Sequence, residues 1–329
     1  MTRTKLIMAG LLVMLIAGYG SYRYWTFQVE QPLALTGATL FTLEKGQYAH
    51  HFLHKLQQQG LIDSQWPGKV LLRLSPGLSD VKAGTYEFRP GMSLRDTLSL
   101  LSSGREKLFE IRLVEGLRWQ DWRAQMQAHP YLRADSLNDD FVAYLAPPGE
   151  SLEGWLMPDT YHFTAGTNAE IIVVQAYERM QTFLQEKWQQ RKVGLPYENP
   201  YEALILASIV EKETGLAEER PRIAAVFVNR LERNMRLQTD PTVIYGMGEA
   251  FDGNIRRGDL KTPTPYNTYV IKGLPPTPIS MVSGAAIDAV LNPLDTDELY
   301  FVSRNDGSHV FSSSLADHNA AVRQYQLKK

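Results

Sequence analysis

Two carboxylates one lysine apart, Glu211 and Glu213, close an apolar run from Ala203 to Val210 in which only Ser208 is polar. A run of that kind reads as a helix buried on nearly all sides, because an exposed helix would show a polar face. A carboxyl group at the end of such a helix is poorly solvated and holds its proton more tightly than in water. That is what a general acid needs near neutral pH. At about 100° per residue the two side chains point roughly 200° apart, so one cleft would use only one of them. Glu213 continues the face of Leu206, Ile209 and Val210, and Glu211 continues that of Leu204, Ala207 and Ser208. Helix geometry does not choose between them. The plainer alternative is that both cap a core helix and pair with nearby Lys or Arg. Gly215 is the expected stop, as a residue suited to a left-handed turn.

Other chemistries have little support. The 329 residues include no cysteine, which removes disulfides, thiolate metal sites and a Cys nucleophile. His50 and His54 have metal-ligand spacing on a helix, but no third ligand is apparent and a solvated helix face explains them better. Neither a phosphate-binding Gly-rich loop with Lys-Ser/Thr nor a Gly-x-Ser-x-Gly elbow occurs. We therefore expect no cofactor and no metal, and carboxylate acid-base chemistry remains. A formal net charge of −2 argues against a nucleic-acid partner, which needs a basic field.

The elements that must position the carboxylates begin with an anchor. Leu6 through Tyr22 is uncharged and lies at the short end of what spans a bilayer. Arg3 and Lys5 precede it, and Tyr19, Tyr22, Tyr24 and Trp25 form an expected aromatic belt. The small residues around Gly18 make a poor cleavage site, so an uncleaved anchor is expected, with the N-terminus cytoplasmic and the remainder exported. Residues 23–38 read as a stalk. A strand-turn-helix unit then recurs at Phe41–Gly46, Tyr86–Gly91 and Ile111–Gly116, each followed by an amphipathic helix: Tyr48–Gln58, Ser93–Leu101 and Trp119–Gln127. The first two copies resemble the glycan-binding LysM module. A mere scaffold is the alternative.

After a Pro147-Pro148 turn, the stretch from Leu152 to Phe163 is dense in aromatic residues and proline, as a sugar-facing surface or a rigid packed loop would be. A packing helix is expected over Glu170 to Lys192 and a linker over Leu195 to Pro200. A further helix begins at Glu218-Glu219, with Pro221 tolerated in its first turn. Beyond it, Met235 to Gly246, Pro263 to Tyr269 and Gly273 to Pro278 read as proline-stiffened loops carrying amide, hydroxyl and aromatic groups suited to carbohydrate. Strands near Leu299–Val302 and His309–Phe311 flank Asn305-Asp306-Gly307, a strong hairpin signal.

Several of these strings are specific. Ala207-Ser-Ile-Val-Glu-Lys-Glu213-Thr, Glu219-Arg-Pro221, Val226-Phe-Val-Asn-Arg-Leu231, Met235 to Gly246 and Tyr266-Asn-Thr-Tyr269 together resemble the YceG-like family, as do Lys82 to Tyr86, Arg112 to Gly116, Glu153-Gly154 and Pro158-Asp-Thr160. The resemblance covers nearly the whole chain. Characterised members of the family are endolytic murein transglycosylases, in which the second Glu of the Glu-Lys-Glu triplet is the catalytic acid. The resemblance thus implies Glu213. It also implies cleavage of the β-1,4 bond between N-acetylmuramic acid and N-acetylglucosamine within nascent peptidoglycan strands, leaving a 1,6-anhydro end. Gln238, Asp240, Thr242, Tyr245, Tyr266, Asn267 and Thr268, in or beside the family strings, are expected to bind the sugar.

The expected protein is α+β, anchored in the inner membrane by 6–22 after a cytoplasmic 1–5. A LysM-like region over 39–127, a connecting region over 128–200 and a catalytic domain over 201–329 follow in the periplasm. Its expected partners are peptidoglycan strands and peptidoglycan synthases. A non-catalytic glycan-binding scaffold for those synthases is the alternative of a different class.

Overall fold

The computed structural model describes residues 3–147 and 151–327, so the Pro147-Pro148 turn lies partly outside the described residues. The fold is α+β, and the chain divides into two compact units. The first comprises Met1–Phe109 with His162–Ala165, and the second Glu110–Tyr161 with Gly166–Lys329.

In the first unit, α1 (Arg3–Glu30) is long and apolar enough to cross a membrane. Its apolar side chains from Leu6 to Ile16 are all exposed. The helix continues well past Tyr22, because its last turns have a core to join. Trp25 and Val29 are buried, and the Trp25 indole N–H donates to Pro67 O at 3.0 Å. Trp25 is therefore a packing residue and not part of an aromatic belt. The expected stalk is likewise docked, with Leu33 N–H donating to Met92 O at 2.8 Å.

Next come β1 (Thr39–Leu43), α2 (Ala49–Gln58), α3 (Trp66–Leu74), β2 (Gly84–Phe88) and α4 (Leu94–Ser103). The strands pair antiparallel from Thr39↔Phe88 to Leu43↔Gly84. Alternation puts Phe41 and Leu43 inward. Phe41 meets Phe52 edge-on and stacks on Phe88, each at 5.2 Å between ring centres. Ser93 caps α4 by accepting Asp96 N–H, while the Asp96 carboxylate accepts Ser93 N–H at 2.9 Å. Helix α3, which local periodicity did not reveal, is short and starts on Trp66-Pro67.

The rest of the chain, nearly all of it in the second unit, carries β3 (Phe109–Leu113), α5 (Trp119–Gln127), β4 (Leu132–Arg133), α6 (Asp139–Leu145), β5 (Asp159–Phe163), β6 (Thr167–Asn168) and α7 (Ala169–Gln189). It continues with α8 (Pro200–Glu213), α9 (Arg220–Glu232), α10 (Asp240–Met247), α11 (Gly284–Leu291), β7 (Tyr300–Ser303), β8 (His309–Ser312) and α12 (Leu315–Tyr325). The strand–glycine–helix unit recurs as read: Gly46, Gly91 and Gly116 all take positive φ (85°, 93° and 75°), where a Cβ would be strained. Helices α7, α9 and α11 enclose α8, whose residues from Ala203 to Val210 are all buried. Ser208, the one polar residue in that run, is satisfied there. Its hydroxyl donates to Ile205 O at 2.7 Å and accepts Ile279 N–H at 2.9 Å. Strands β7 and β8 form the expected hairpin, with Asn305 and Gly307 at φ 67° and 90°.

Candidate active site

Helix α8 starts where Asn199 accepts Glu202 N–H at 3.0 Å and Pro200 fills the first turn. It ends at Thr214, which turns extended at φ −145° and ψ 137°. Gly215 is not the left-handed stop expected of it. Thr214 ends the helix instead, and its hydroxyl accepts Leu216 N–H at 3.0 Å.

This end holds the two carboxylates in different surroundings. Glu211 turns toward α11, where one oxygen accepts Ser283 N–H at 2.9 Å and the Ser283 hydroxyl as well. Its side chain is only 4% exposed, and Arg220 stands 3.8 Å away. Ser283 in turn caps α11 by accepting Ala286 N–H. Glu211 is thus a tie between helices.

Glu213 faces a cleft of about 560 Å³ walled by Gln238, Thr239 and Asp240, by Arg230 and Tyr269, and by residues of β7, β8 and α12. Burial pushes its carboxyl up to about 7, and the negative charge of Asp240 adds to the rise. The Thr239 hydroxyl, which donates to Glu213 Oε1, and the Arg230 charge oppose it. Desolvation wins, so the group is poised to carry a proton at neutral pH.

The walls of the cleft are held by buried bonds. Arg230 Nε donates to Leu299 O and Nη1 to Leu237 O, each at 2.7 Å, which ties α9 to both sides of the cleft. Gln238 sits at φ 51°, an unusual conformation for a side-chain-bearing residue, and donates its N–H to Thr268 O at 3.2 Å. Thr268 Oγ1 accepts Thr239 N–H at 3.1 Å and lies 2.8 Å from the Thr242 hydroxyl. Tyr269 donates its hydroxyl to Asp240 Oδ1 at 2.6 Å.

Of the residues expected to bind sugar, Gln238 and Asp240 therefore share the cleft with Glu213. Thr242, Asn267 and Thr268 are buried behind its wall. The Asn267 amide donates to Asp259 O and Thr262 O at 3.0 and 2.8 Å, and its oxygen accepts Tyr269 N–H at 3.0 Å. Residues 240–247, read as loop, form α10 because Asp240-Pro241 makes a good first turn.

Tyr245 and Tyr266 pack together at 4.8 Å and belong to a second acidic site. There Glu153, 4% exposed, accepts Trp119 N–H at 2.9 Å and the Tyr245 hydroxyl at 3.3 Å. Arg118 lies over the Tyr245 ring at 5.0 Å. Burial pushes the Glu153 carboxyl up to about 7 as well, against those two hydrogen bonds and the Arg118 charge.

Sequence reasoning missed Arg230, Tyr300, His309 and His318, which also line the cleft. The available signal was two of only seven histidines falling within ten residues of each other beside the hairpin.

Residues 41–324 match the model of the YceG-like family. Over 280 residues the chain is 31% identical to an endolytic murein transglycosylase of Bacillus subtilis (strain 168), covering 77% of this chain and 75% of that protein. It is 28% identical over 288 residues to an endolytic murein transglycosylase of Streptococcus pneumoniae (strain D39), covering 76% of this chain and 52% of the relative, about half its length. A crystal structure of a yceG-like protein from Listeria monocytogenes superposes with a TM-score of 0.56 at 27% identity, over 86% of this chain and 99% of that one.

Proposed function

The chain belongs to the YceG-like family, and on that premise we propose that it is an endolytic murein transglycosylase, a lyase acting within peptidoglycan strands. The observation that carries the reading is Glu213, a burial-raised carboxyl at the end of a buried helix, opening into a polar cleft. Glu213 gives its proton to the glycosidic oxygen between N-acetylmuramic acid and N-acetylglucosamine as the C1–O bond breaks. The sugar's own 2-acetamido oxygen attacks C1, so no second protein carboxylate has to serve as nucleophile. The 6-hydroxyl then displaces that oxygen and passes its proton to Glu213, now a carboxylate. A 1,6-anhydro end forms and water takes no part. Gln238 and Asp240 contact the sugar in this reading, while Thr242, Asn267 and Thr268 hold the wall that presents them. Tyr245 and Tyr266 extend the binding surface.

The remaining assignments belong to the same reading. Helix α1 is a single-pass inner-membrane anchor with a cytoplasmic N-terminus, and the chain beyond it is periplasmic. The β1–α2–α3–β2 arrangement, with its outer strands paired, is a LysM-like module that holds glycan. Cutting nascent strands near the membrane ends their elongation beside the synthases. Digestion of purified glycan strands followed by end-group analysis tests the activity. New anhydro ends inside strands are expected, and a binding scaffold would produce none.

A further inference from the structure

Glu213 shares its cleft with an imidazole that the proposed reaction leaves unused. His309 is the first residue of β8, and its side chain is 11% exposed. Both oxygens of Glu219, at the start of α9, are spent on it. Oε1 accepts His309 N–H at 2.9 Å, and Oε2 lies 2.6 Å from Nδ1. Backbone and ring are thus gripped by one carboxylate, and the Phe301 ring meets the imidazole edge-on at 5.4 Å. Such a ring cannot swing. A carboxylate accepts only, so Nδ1 carries the hydrogen, and in the neutral form of the ring the lone pair lies on Nε2. Nε2 has no hydrogen-bond partner among the described residues and is not among their buried unpartnered atoms. His309 lines the Glu213 cleft, so this is the polar atom it can offer there.

We propose that His309, fixed by Glu219, orients the glycan by accepting a hydrogen bond from a pyranose hydroxyl at Nε2. The inference rests on the transglycosylase reading for the identity of the ligand. A structural tie between β8 and α9 would need the Nδ1 contact alone, and it would be indifferent to the tautomer and to Nε2.

Three variants of the full chain separate the two roles. In Glu219→Gln the amide oxygen still accepts His309 N–H, but its NH₂ donates to Nδ1 and moves the ring hydrogen to Nε2, turning an acceptor into a donor. His309→Gln and His309→Phe both lose the Glu219 contact, but only Gln can keep an acceptor near the position of Nε2. With purified glycan strands as substrate, kcat/KM is expected to fall about 10- to 100-fold in Glu219→Gln and His309→Phe, with kcat changing more than KM. His309→Gln is expected to stay within a few-fold of wild type. Ring-nitrogen NMR of the Glu213→Gln protein should show an unprotonated Nε2 whose resonance moves when strands are added. Equal activity of His309→Gln and His309→Phe, or an Nε2 resonance that strands leave unmoved, would overturn the proposal. Wild-type protein that produces no anhydro ends would instead overturn the transglycosylase reading, with the Nε2 response to strands still deciding whether His309 meets glycan.

Discussion

Glu213 and Glu153 are both carboxyl groups that burial pushes up to about 7, yet they stand in different kinds of place. Glu153 is enclosed: one oxygen takes Trp119 N–H, the other takes the Tyr245 hydroxyl, and the group ties the entry of α5 to α10. Among the described residues Glu213 is bound by a single hydroxyl, that of Thr239, and it faces a cleft of about 560 Å³. A raised pKa marks desolvation, and desolvation alone does not mark catalysis. What sets Glu213 apart is room for a substrate next to a proton it can give away. Glu211 sharpens the contrast, since it leaves the same helix turn and is consumed by Ser283.

The comparison breaks most visibly in activity. Glu213→Gln keeps the size of the side chain but can neither donate an acid proton nor take one back. Strand cleavage is expected to fall at least about 10²–10⁴-fold, measured as anhydro ends formed by protein of matched melting temperature. Glu153→Gln is expected to stay within about tenfold of wild type, because its proton has no substrate to reach. Comparable losses in the two variants would show that enclosure and openness do not divide their roles.

A second effect separates the wall of the cleft from its face. Asn267→Ala strips three hydrogen bonds from a buried loop and is expected to cost about 1–3 kcal/mol of stability in chemical denaturation. Gln238→Ala, on the cleft face, should leave stability within about 0.5 kcal/mol and weaken glycan binding instead. Glu211→Gln is expected to cost roughly 1 kcal/mol through the Ser283 tie, with cleavage changed only a few-fold.

A third effect is on the pH dependence of stability. Both raised carboxyls hold their protons in the folded state at pH values where the unfolded chain has already released them. The folded state therefore binds more protons between the ordinary carboxylate value of 4.5 and about 7, and stability falls as pH rises through that window. Glu153→Gln should flatten part of this fall, by up to about 3 kcal/mol across the window. A melting curve series from pH 4 to 8 reads it directly, and an unchanged slope would mean that Glu153 titrates like an exposed group.

Local features were legible in the sequence. The turns at Gly46, Gly91 and Gly116 follow from strand alternation meeting a residue that tolerates positive φ, and burial of α8 follows from its composition. The separation of Glu211 from Glu213 was not legible, because their partners are remote: Ser283 is 72 residues from Glu211, and Thr239 is 26 from Glu213. Asn267 looked like a sugar ligand by residue type, while its amide is spent on the carbonyls of Asp259 and Thr262. His309 looked like one residue of an ordinary hairpin until Glu219 came to meet it from 90 positions away. Gly215 suits a helix stop by residue type alone, yet Thr214 takes that part by turning extended first.

The most direct test of the central claim is to follow the Glu213 carboxyl and the reaction together across pH. Carbon-13 NMR of Glu-labelled protein, assigned with the Glu213→Gln variant, gives the titration of that group. The pH dependence of kcat/KM for strand cleavage gives the group that must be protonated in the free enzyme. One shared midpoint at about 7 is expected, with cleavage falling about tenfold per pH unit above it. A carboxyl titrating near its ordinary 4.5, or a rate that ignores the ionisation of Glu213, would contradict it.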